Sequence, residues 1–432
     1  MTAAWLGVIG FVAVLMLMFV QVPVAVAMGV VGAAGFLWLQ GWDGLAYMMG
    51  SSPFESVIPY SLSTVPLFVM MGVFATYAGL SRQLYDAAYA FLGHYRGGLA
   101  LATIGACAAF GSICGSAIAT AATMCRVALP EMRRRGYADS LASATIAAGG
   151  TLGILIPPSI ILLIYALLTE QSLGKLYVAA LLPGLLGTAL YMLAITVATR
   201  LRPGIGPAGE RMSWPQRRRT LKTVWPVFLL FAIVIGGMFV GVFSPNEAAS
   251  VGAVGALLFA LLSRAMTLSR FRDSLRESAA TSAMIFLILI GAGLFNFFLE
   301  VTSAPQFVVQ QIQALNPSPV VFLILLTGFY VILGALMDDL AMMLLTLPFV
   351  FPLVQALGID PIWFGIYMVT IIEIGMIVPP VGMNLFVIQG VGRVKLETVV
   401  RGILPFVLAD LVRVALLIGF PAIALWLPSL MD

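Results

Sequence analysis

Charge is what this sequence has least of. Only 9% of its 432 residues are Asp, Glu, Lys or Arg, against 61% hydrophobic, whereas a soluble domain is about a quarter charged. That scarcity excludes an ordinary water-soluble fold. It predicts a polytopic membrane protein, with apolar stretches enough for roughly ten to fourteen segments of about 20 residues each. Histidine is nearly absent: the single His94 stands beside Tyr95 and Arg96, a setting that suits the lipid headgroup level. With no HExxH and no P-loop, neither a zinc peptidase nor an ATPase is supported, so any transport by this chain would have to draw on an ion gradient. The three cysteines, Cys107, Cys114 and Cys125, share one apolar stretch without metal-ligand spacing and read as small buried residues. The net charge of +4 is of the kind that cytoplasmic loops supply, and it implies no nucleic acid. Residues 1–20 have no basic start and no cleavage-like end, so they read as a retained first helix and not a signal peptide. Lysine and arginine are missing altogether between Arg276 and Arg393.

What is present is a phrase that occurs twice. GGTLGILIPPS at 149–159 and IIEIGMIVPPV at 371–381 align Gly153 with Gly375, Ile156 with Val378, and Pro157–Pro158 with Pro379–Pro380, at an offset of 222 residues. The same offset pairs Pro130 with Pro352, Gly136 with Gly358 and Pro183 with Pro405, which marks an internal duplication. A Pro-Pro inside an apolar helix removes backbone donors and expels the preceding residue from the α region. In hydrocarbon the freed carbonyls need protein or a water-filled cavity around them. Broken helices at matching positions of two halves point to a transporter's binding site.

The chain then divides as follows. Residues 1–97 hold scaffold helices, with a break near Gln21 and Pro23, a mixed loop with short interfacial pieces over 41–64, a span over 65–80 and an amphipathic connector arm over 81–97 with Leu84, Ala88 and Phe91 on one face. Residues 98–199 form the first repeat: a hairpin at 98–131 whose tip is GSICGS, a broken helix at 138–168 with its loop at 151–158, and a following helix. Each hairpin arm is too short to span, and the arginines at both outer ends place them on the cytoplasmic side. Residues 200–222 read as a cytoplasmic loop, and 223–317 as further scaffold helices and an arm. The second repeat, 318–392, has a hairpin at 318–354 around GALMDD and a broken helix at 361–391. Its arm ends carry no basic residue, so by the same rule it enters from the opposite face. Residues 393–432 form a C-terminal helix region. The predicted fold is an all-α polytopic membrane protein with inverted repeats, each with a re-entrant hairpin and a broken helix, of an elevator-type ion-transporter kind.

Where a hairpin tip meets its own broken helix, backbone carbonyls and hydroxyls offer hard oxygen ligands for a sodium ion. The first set is Ser112, Gly115 and Ser116 from the tip with Gly153, Ile156 and Pro158. The second is Gly334 and Asp338 from the tip with Thr370, Gly375, Val378 and Pro380. Asp338, Asp339 and Glu373 lie at membrane depth, where ionisable groups are costly and by default functional, and no basic residue is near them in sequence. Asn384 is placed to cap the half-helix after the second Pro-Pro, and with Gly382 and Ser159 it marks a half-helix N-terminus suited to a substrate carboxylate. Asp338 and Asp339, being adjacent, make a poor acid dyad, so no enzyme chemistry is proposed.

The phrases FGSICGSAIATAATM (110–124), PEMRRRGYADSLASATIAAGGTLGILIPPS (130–159) and IEIGMIVPPVGMNLFVIQGV (372–391) resemble the large membrane subunit of tripartite ATP-independent periplasmic (TRAP) transporters of the dicarboxylate/sialic-acid type, over essentially the whole chain. The resemblance implies a sodium symporter in a bacterial inner membrane that imports small organic anions. The hairpins and broken helices would form a moving transport domain. It also implies two partners: a small four-helix membrane subunit, here expected as a separate chain, and a soluble periplasmic substrate-binding protein. This chain departs from the family pattern at Cys114 and Ala117, where Ser is commoner, and at Val378, where Thr is, which leaves more of the ligation to backbone carbonyls. A stand-alone symporter without a binding protein is the nearest alternative.

Overall fold

The computed structural model describes residues 3–334, 337–379 and 382–431. Among the described residues, nine helical stretches are long and apolar enough to cross a membrane. Helix α1 (Ala3–Phe19) and helix α2 (Val24–Glu55) are separated at Gln21, whose φ is 66°, and Pro23, as the sequence predicts. The predicted loop over 41–64 is helical as far as Glu55. Gly41, at φ 73° and ψ −173°, re-aims the chain without ending the helix. Trp42, Tyr47 and Phe54 beyond it stay exposed, and aromatic side chains of this kind settle at a membrane interface. The expected short interfacial pieces are thus one continuous helix up to Glu55.

After helix α3 (Thr64–Tyr77) comes the amphipathic arm, helix α4 (Leu80–Leu92). Its buried side is Leu80, Leu84, Ala87 and Ala90, with Arg82 and Asp86 outward; Ala88 and Phe91, expected on the buried face, are only half-buried.

The first hairpin is helix α5 (Gly98–Cys114) and helix α6 (Ala117–Arg134); the first broken helix is α7 (Asp139–Leu155) and α8 (Ile160–Thr169). The break is shorter than predicted, since the helix continues through Thr151 and Gly153 and opens only at Ile156. Helix α9 (Leu173–Leu201) follows, then helix α10 (Trp214–Phe239). The predicted loop 200–222 thus ends early: Ser213 and Gln216 form a capping box that starts α10 within the basic segment. Helix α11 (Pro245–Leu262), helix α12 (Leu268–Thr302) and a second arm, helix α13 (Ala304–Ala314), precede the second repeat. That repeat is the hairpin α14 (Pro319–Gly334) and α15 (Asp339–Ala356) and the broken helix α16 (Pro361–Ile377) and α17 (Met383–Gly392). Helix α18 (Leu396–Gly419), a short helix α19 (Ala422–Leu425) and a 3₁₀ turn (Pro428–Leu430) complete the described chain.

The repeats correspond element by element, α5 to α14 through α9 to α18. Pro130 and Pro352 lie inside α6 and α15, and Pro183 and Pro405 inside α9 and α18. Gly136 and Gly358 both have left-handed φ, 75° and 67°, which only glycine adopts cheaply. The two first halves of the broken helices, α7 and α16, form the centre. Every residue from Leu141 to Leu155 and from Trp363 to Ile377 is buried. Outside them, α2 and α12 lie so close that a Cβ on Gly32 would stand 2.7 Å from the Leu294 carbonyl carbon, and one on Gly291 2.2 Å from the Ala25 oxygen. Small residues allow such backbone approach between membrane helices.

Candidate functional site

At the first hairpin tip α5 ends on Gly115, left-handed at φ 63°, whose amide donates to Gly111 O at 2.9 Å. Ser116, in an extended conformation, then caps α6 by accepting the Ala119 amide at 3.4 Å. This compact turn presses on the broken helix. A Cβ on Gly111 would stand 2.6 Å from Gly153 Cα, one on Gly115 2.8 Å from Pro158 O, and one on Gly153 3.0 Å from Ser116 O. The same Gly153 position is 2.7 Å from Thr120 Oγ1, which is buried and has no hydrogen-bond partner among the described residues. The structure therefore brings Gly115, Ser116, Gly153 and Pro158 together and adds Thr120, which the sequence reading missed. Its signal was the spacing of one helical turn from Ser116, on the same face of α6. Ser112 turns its hydroxyl back to Ala109 O at 2.7 Å. Ile156, extended at the end of α7, has its amide on Leu152 O at 3.0 Å, while its own carbonyl is released from the helix.

In the second repeat the broken helix is met by the first arm of its hairpin, α14. A Cβ on Gly334 would stand 2.3 Å from Gly375 Cα. Val378, like Ile156, is extended, with its amide on Ile374 O at 3.0 Å. Asp338 caps α15 by accepting the Ala341 amide at 3.2 Å, and Asp339 accepts from the Leu340 amide at 3.0 Å. Thr370 is inside α16 with its hydroxyl on Ile366 O at 2.8 Å. Pro380 lies outside the described residues. Among those described there is no group of three or more His, Cys, Asp or Glu. In the first repeat Ser116 O and Thr120 Oγ1 at Gly153 and Pro158 O at Gly115 lie together, a donor set for hard cations.

Asn384 does not cap α17; Gly382 holds the N-cap position, without a side-chain bond. The Asn384 amide nitrogen instead donates to Ala147 O of α7 at 3.0 Å, joining the two broken helices. It sits one residue inside the helix, past the geometry a cap needs. Ser159 is fully buried and caps α8: it accepts the Leu162 amide at 3.3 Å and donates to Ile154 O. Gly382 also sits close, 2.6 Å from its built Cβ to Met376 O.

Glu373, for which the sequence offers no neighbouring cation, has one in space. Arg413 of α18 pairs with it and with Asp410, the latter at 2.8 Å, and all three side chains are buried. Tyr191 of α9 donates to Asp410 Oδ2 at 2.6 Å. Arg413 and Asp410, three residues apart inside an apolar helix, were the overlooked signal.

A cavity of about 380 Å³ separates the first hairpin from α3 and α12. Ser116, Thr123 and Arg126 of α6 and Ile160 at the start of α8 line one side; Thr76 and Tyr77 of α3 with Glu277 and Thr281 of α12 line the other. Arg126 makes no ion pair with any described residue. A second cavity of about 410 Å³, between α1, α13, α14 and α15, is walled almost entirely by aliphatic and phenyl side chains, and offers an anion nothing.

Duplicated hairpins meeting broken helices across a largely buried, all-helical core define a multi-pass membrane transport protein. The family described as "Tripartite ATP-independent periplasmic transporter, DctM component" matches residues 11–423, and the chain belongs to it. A C4-dicarboxylate TRAP transporter large permease protein of Pseudomonas aeruginosa is 39% identical over 380 residues, covering 87% of this chain and 88% of that one. A sialic acid TRAP transporter large permease protein of Vibrio cholerae is 31% identical over 428 residues, covering 99% and 97%. An isethionate TRAP transporter permease protein named DctMQ, of Oleidesulfovibrio alaskensis, is 33% identical over 415 residues, covering 94% of this chain and 64% of that one. Among solved structures, the crystal structure of the YdaH transporter of Alcanivorax borkumensis has the same fold, with a TM-score of 0.65 at 16% identity over 95% of this chain and 99% of that one.

Proposed function

We propose that this chain is the large permease of a sodium-coupled importer of small organic anions in a bacterial inner membrane. A C4-dicarboxylate, sialic acid or a similar carboxylate would be delivered by a periplasmic substrate-binding protein, with a small four-helix subunit as the second membrane partner. The observation that carries this is the repeated glycine-to-glycine contact of hairpin tip and broken helix, Gly111 on Gly153 and Gly334 on Gly375. The two broken-helix glycines are repeat counterparts, while the tip glycines are one place out of register, Gly111 matching Leu333 and Gly334 matching Ser112; in this reading each contact would bring oxygen ligands to its loop. Sodium would sit at the two oxygen clusters. The anion would occupy the cavity beside Ser116, near the N-termini of α6 and α8, whose dipoles favour negative charge. The hairpins and broken helices would then move together against α2, α3, α11 and α12, an elevator motion.

The test is the melting temperature of the purified complex in sodium chloride against choline chloride at equal ionic strength. A ligand bound only by the native state stabilises it by about 2.7 kcal/mol at a hundredfold excess over Kd. A sodium-specific rise supports the reading; equal temperatures sink it. Ser116→Ala and Asp338→Asn are each expected to weaken sodium-dependent uptake in proteoliposomes while insertion is unaffected, and normal sodium dependence in both would dismiss these residues as ligands. Uptake without any soluble partner would instead favour a stand-alone symporter.

Arg126 is the one arginine in the polar cavity, and Glu277 across from it repels an anion towards the α6 side. Arg126→Gln is therefore expected to raise the half-saturating succinate concentration roughly tenfold, because a charge-assisted fork is lost. Arg126→Lys should lose less. An unchanged value for Arg126→Gln would remove the residue from the substrate path.

A further inference from the structure

Thr151 and Tyr191 stand in the first repeat where Glu373 and Arg413 stand in the second, at the same offset of 222 residues. Both pairs are in contact. Thr151 Oγ1 lies 3.3 Å from the Tyr191 hydroxyl, and Arg413 is paired with Glu373. The two partners also face each other across the pseudo-symmetric centre, with the Arg413 guanidinium 6.0 Å from the centroid of the Tyr191 ring. Asp410 joins them, accepting from Tyr191 at 2.6 Å and pairing with Arg413 at 2.8 Å. The result is a run of neighbouring polar groups, Thr151–Tyr191–Asp410–Arg413–Glu373, from one broken helix to the other through apolar protein; Tyr191 gives its proton to Asp410 and Thr151 gives its own to Ala148 O at 2.8 Å, so the first link is a contact of two hydroxyl oxygens.

Each end of this path is two residues, about 3 Å of helix rise, from the glycine on which a hairpin tip presses. Thr151 precedes Gly153, and Glu373 precedes Gly375. The fold gives up packing to keep the path. Gly187 of α9 leaves room for the guanidinium, since a Cβ there would stand 2.4 Å from Arg413 Nη1. Glu373 Oε1, Asp410 Oδ1 and Arg413 Nε and Nη1 are buried without a hydrogen-bond partner among the described residues, so Asp410 and Arg413 meet as an ion pair. A buried ionic group of this kind contributes little net stability compared with apolar side chains of equal volume, so stability alone does not account for it.

We propose that this path couples the two ion sites, so that a cation bound at one loop raises the affinity of the other. The proposal rests on the sodium reading above. A cation that fixes the loop after α7 fixes Thr151, and through Tyr191, Asp410 and Arg413 it orders Glu373 and the loop after α16. The second ion then binds a loop whose ordering cost is already met. Tyr191 and Arg413 are positioning residues in this scheme and touch no ion.

The experiment is equilibrium binding of radioactive sodium to the purified complex with its small subunit, in choline-balanced buffer. The wild type is expected to bind with a Hill coefficient above one. Tyr191→Phe removes one oxygen and leaves the ring and the ionic trio in place. It is expected to bring the Hill coefficient to one and raise the half-saturating concentration about fivefold, the low end of usual coupling factors of about 5–150-fold. Thr151→Val, which breaks the path at its other end, should do the same, and serves if Tyr191→Phe does not fold. Thr188, the repeat counterpart of Asp410, bonds only Gly184 O at 2.8 Å, so Thr188→Ala should leave the curve unchanged. A wild-type Hill coefficient of one, or variant curves that superimpose on a cooperative wild type, would overturn the coupling while the sodium reading stands. No specific sodium binding by the wild type would overturn both.

Discussion

Arg413→Leu is expected to destabilise the protein by about 3–5 kcal/mol, the penalty for removing one partner from a buried ionic group, and to cut the yield of monodisperse protein sharply. Glu373 and Asp410 would be left as two carboxylates inside the helix core, both buried, with the Tyr191 hydroxyl the one donor still bonded to them. Charge is the cause, so charge removal is the remedy. Adding Glu373→Gln and Asp410→Asn to Arg413→Leu should recover most of the lost melting temperature. Arg413→Lys should fall between, because a lysine keeps the charge but not the fork that reaches two carboxylates at once. If Arg413→Leu melts like the wild type, or the triple variant melts no higher than the single one, the ionic account of this core is wrong.

Gly334→Ala is expected to abolish sodium-dependent uptake and to lower stability by about 1–3 kcal/mol or more, as overpacking in a filled core does. The added methyl would stand 2.3 Å from Gly375 Cα and 2.6 Å from its carbonyl carbon. Both are backbone atoms, so no side chain can turn away, and the hairpin has to leave the broken helix. Gly111→Ala should do the same in the first repeat, against Gly153 Cα at 2.6 Å. Gly328, on the exposed side of α14 with nothing within 4 Å of its built Cβ, is the control. Gly328→Ala should be neutral or slightly stabilising, since alanine favours a helix interior. Uptake assays on the three variants in proteoliposomes decide the matter: full activity in Gly334→Ala would mean that the tip and the loop do not need to touch.

The glycines and prolines made much of this legible. Backbone breaks in hydrocarbon are permitted at few residue types, so GSICGS, GALMDD and the two Pro-Pro pairs announced the hairpins and broken helices before any packing was known. The repeat then paired Gly153 with Gly375 and Ile156 with Val378, and the structure gives each pair matching geometry. Lengths within the breaks were harder. Thr151 and Gly153 are helical because only the residue immediately before the first proline is forced out of the α region, and the reading of 151–158 as loop overextended that rule. Residues 42–55 hid as a helix because an interfacial helix needs no continuous apolar face. Arg413 and Asp410 were overlooked for a different reason. No basic residue stands near Glu373 in sequence, and a partner 40 residues away on another helix is a fact of tertiary packing. Thr120 and the Asn384 bond to Ala147 belong to the same class, since each depends on which element lies opposite.

The mismatch between the two repeats at one equivalent position has a historical consequence. An ancestor built from two identical halves would have carried the same pair of side chains on both sides, and either half would have served in place of the other. Here one half keeps a threonine and a tyrosine and the other an acid and an arginine. The halves are not interchangeable: two copies of the second would crowd two guanidinium groups at the centre, and two copies of the first, with Thr188 where the second has Asp410, would hold no ion pair there. The halves are complementary parts, so a substitution at one of these positions has to be judged together with the side chain at its repeat counterpart.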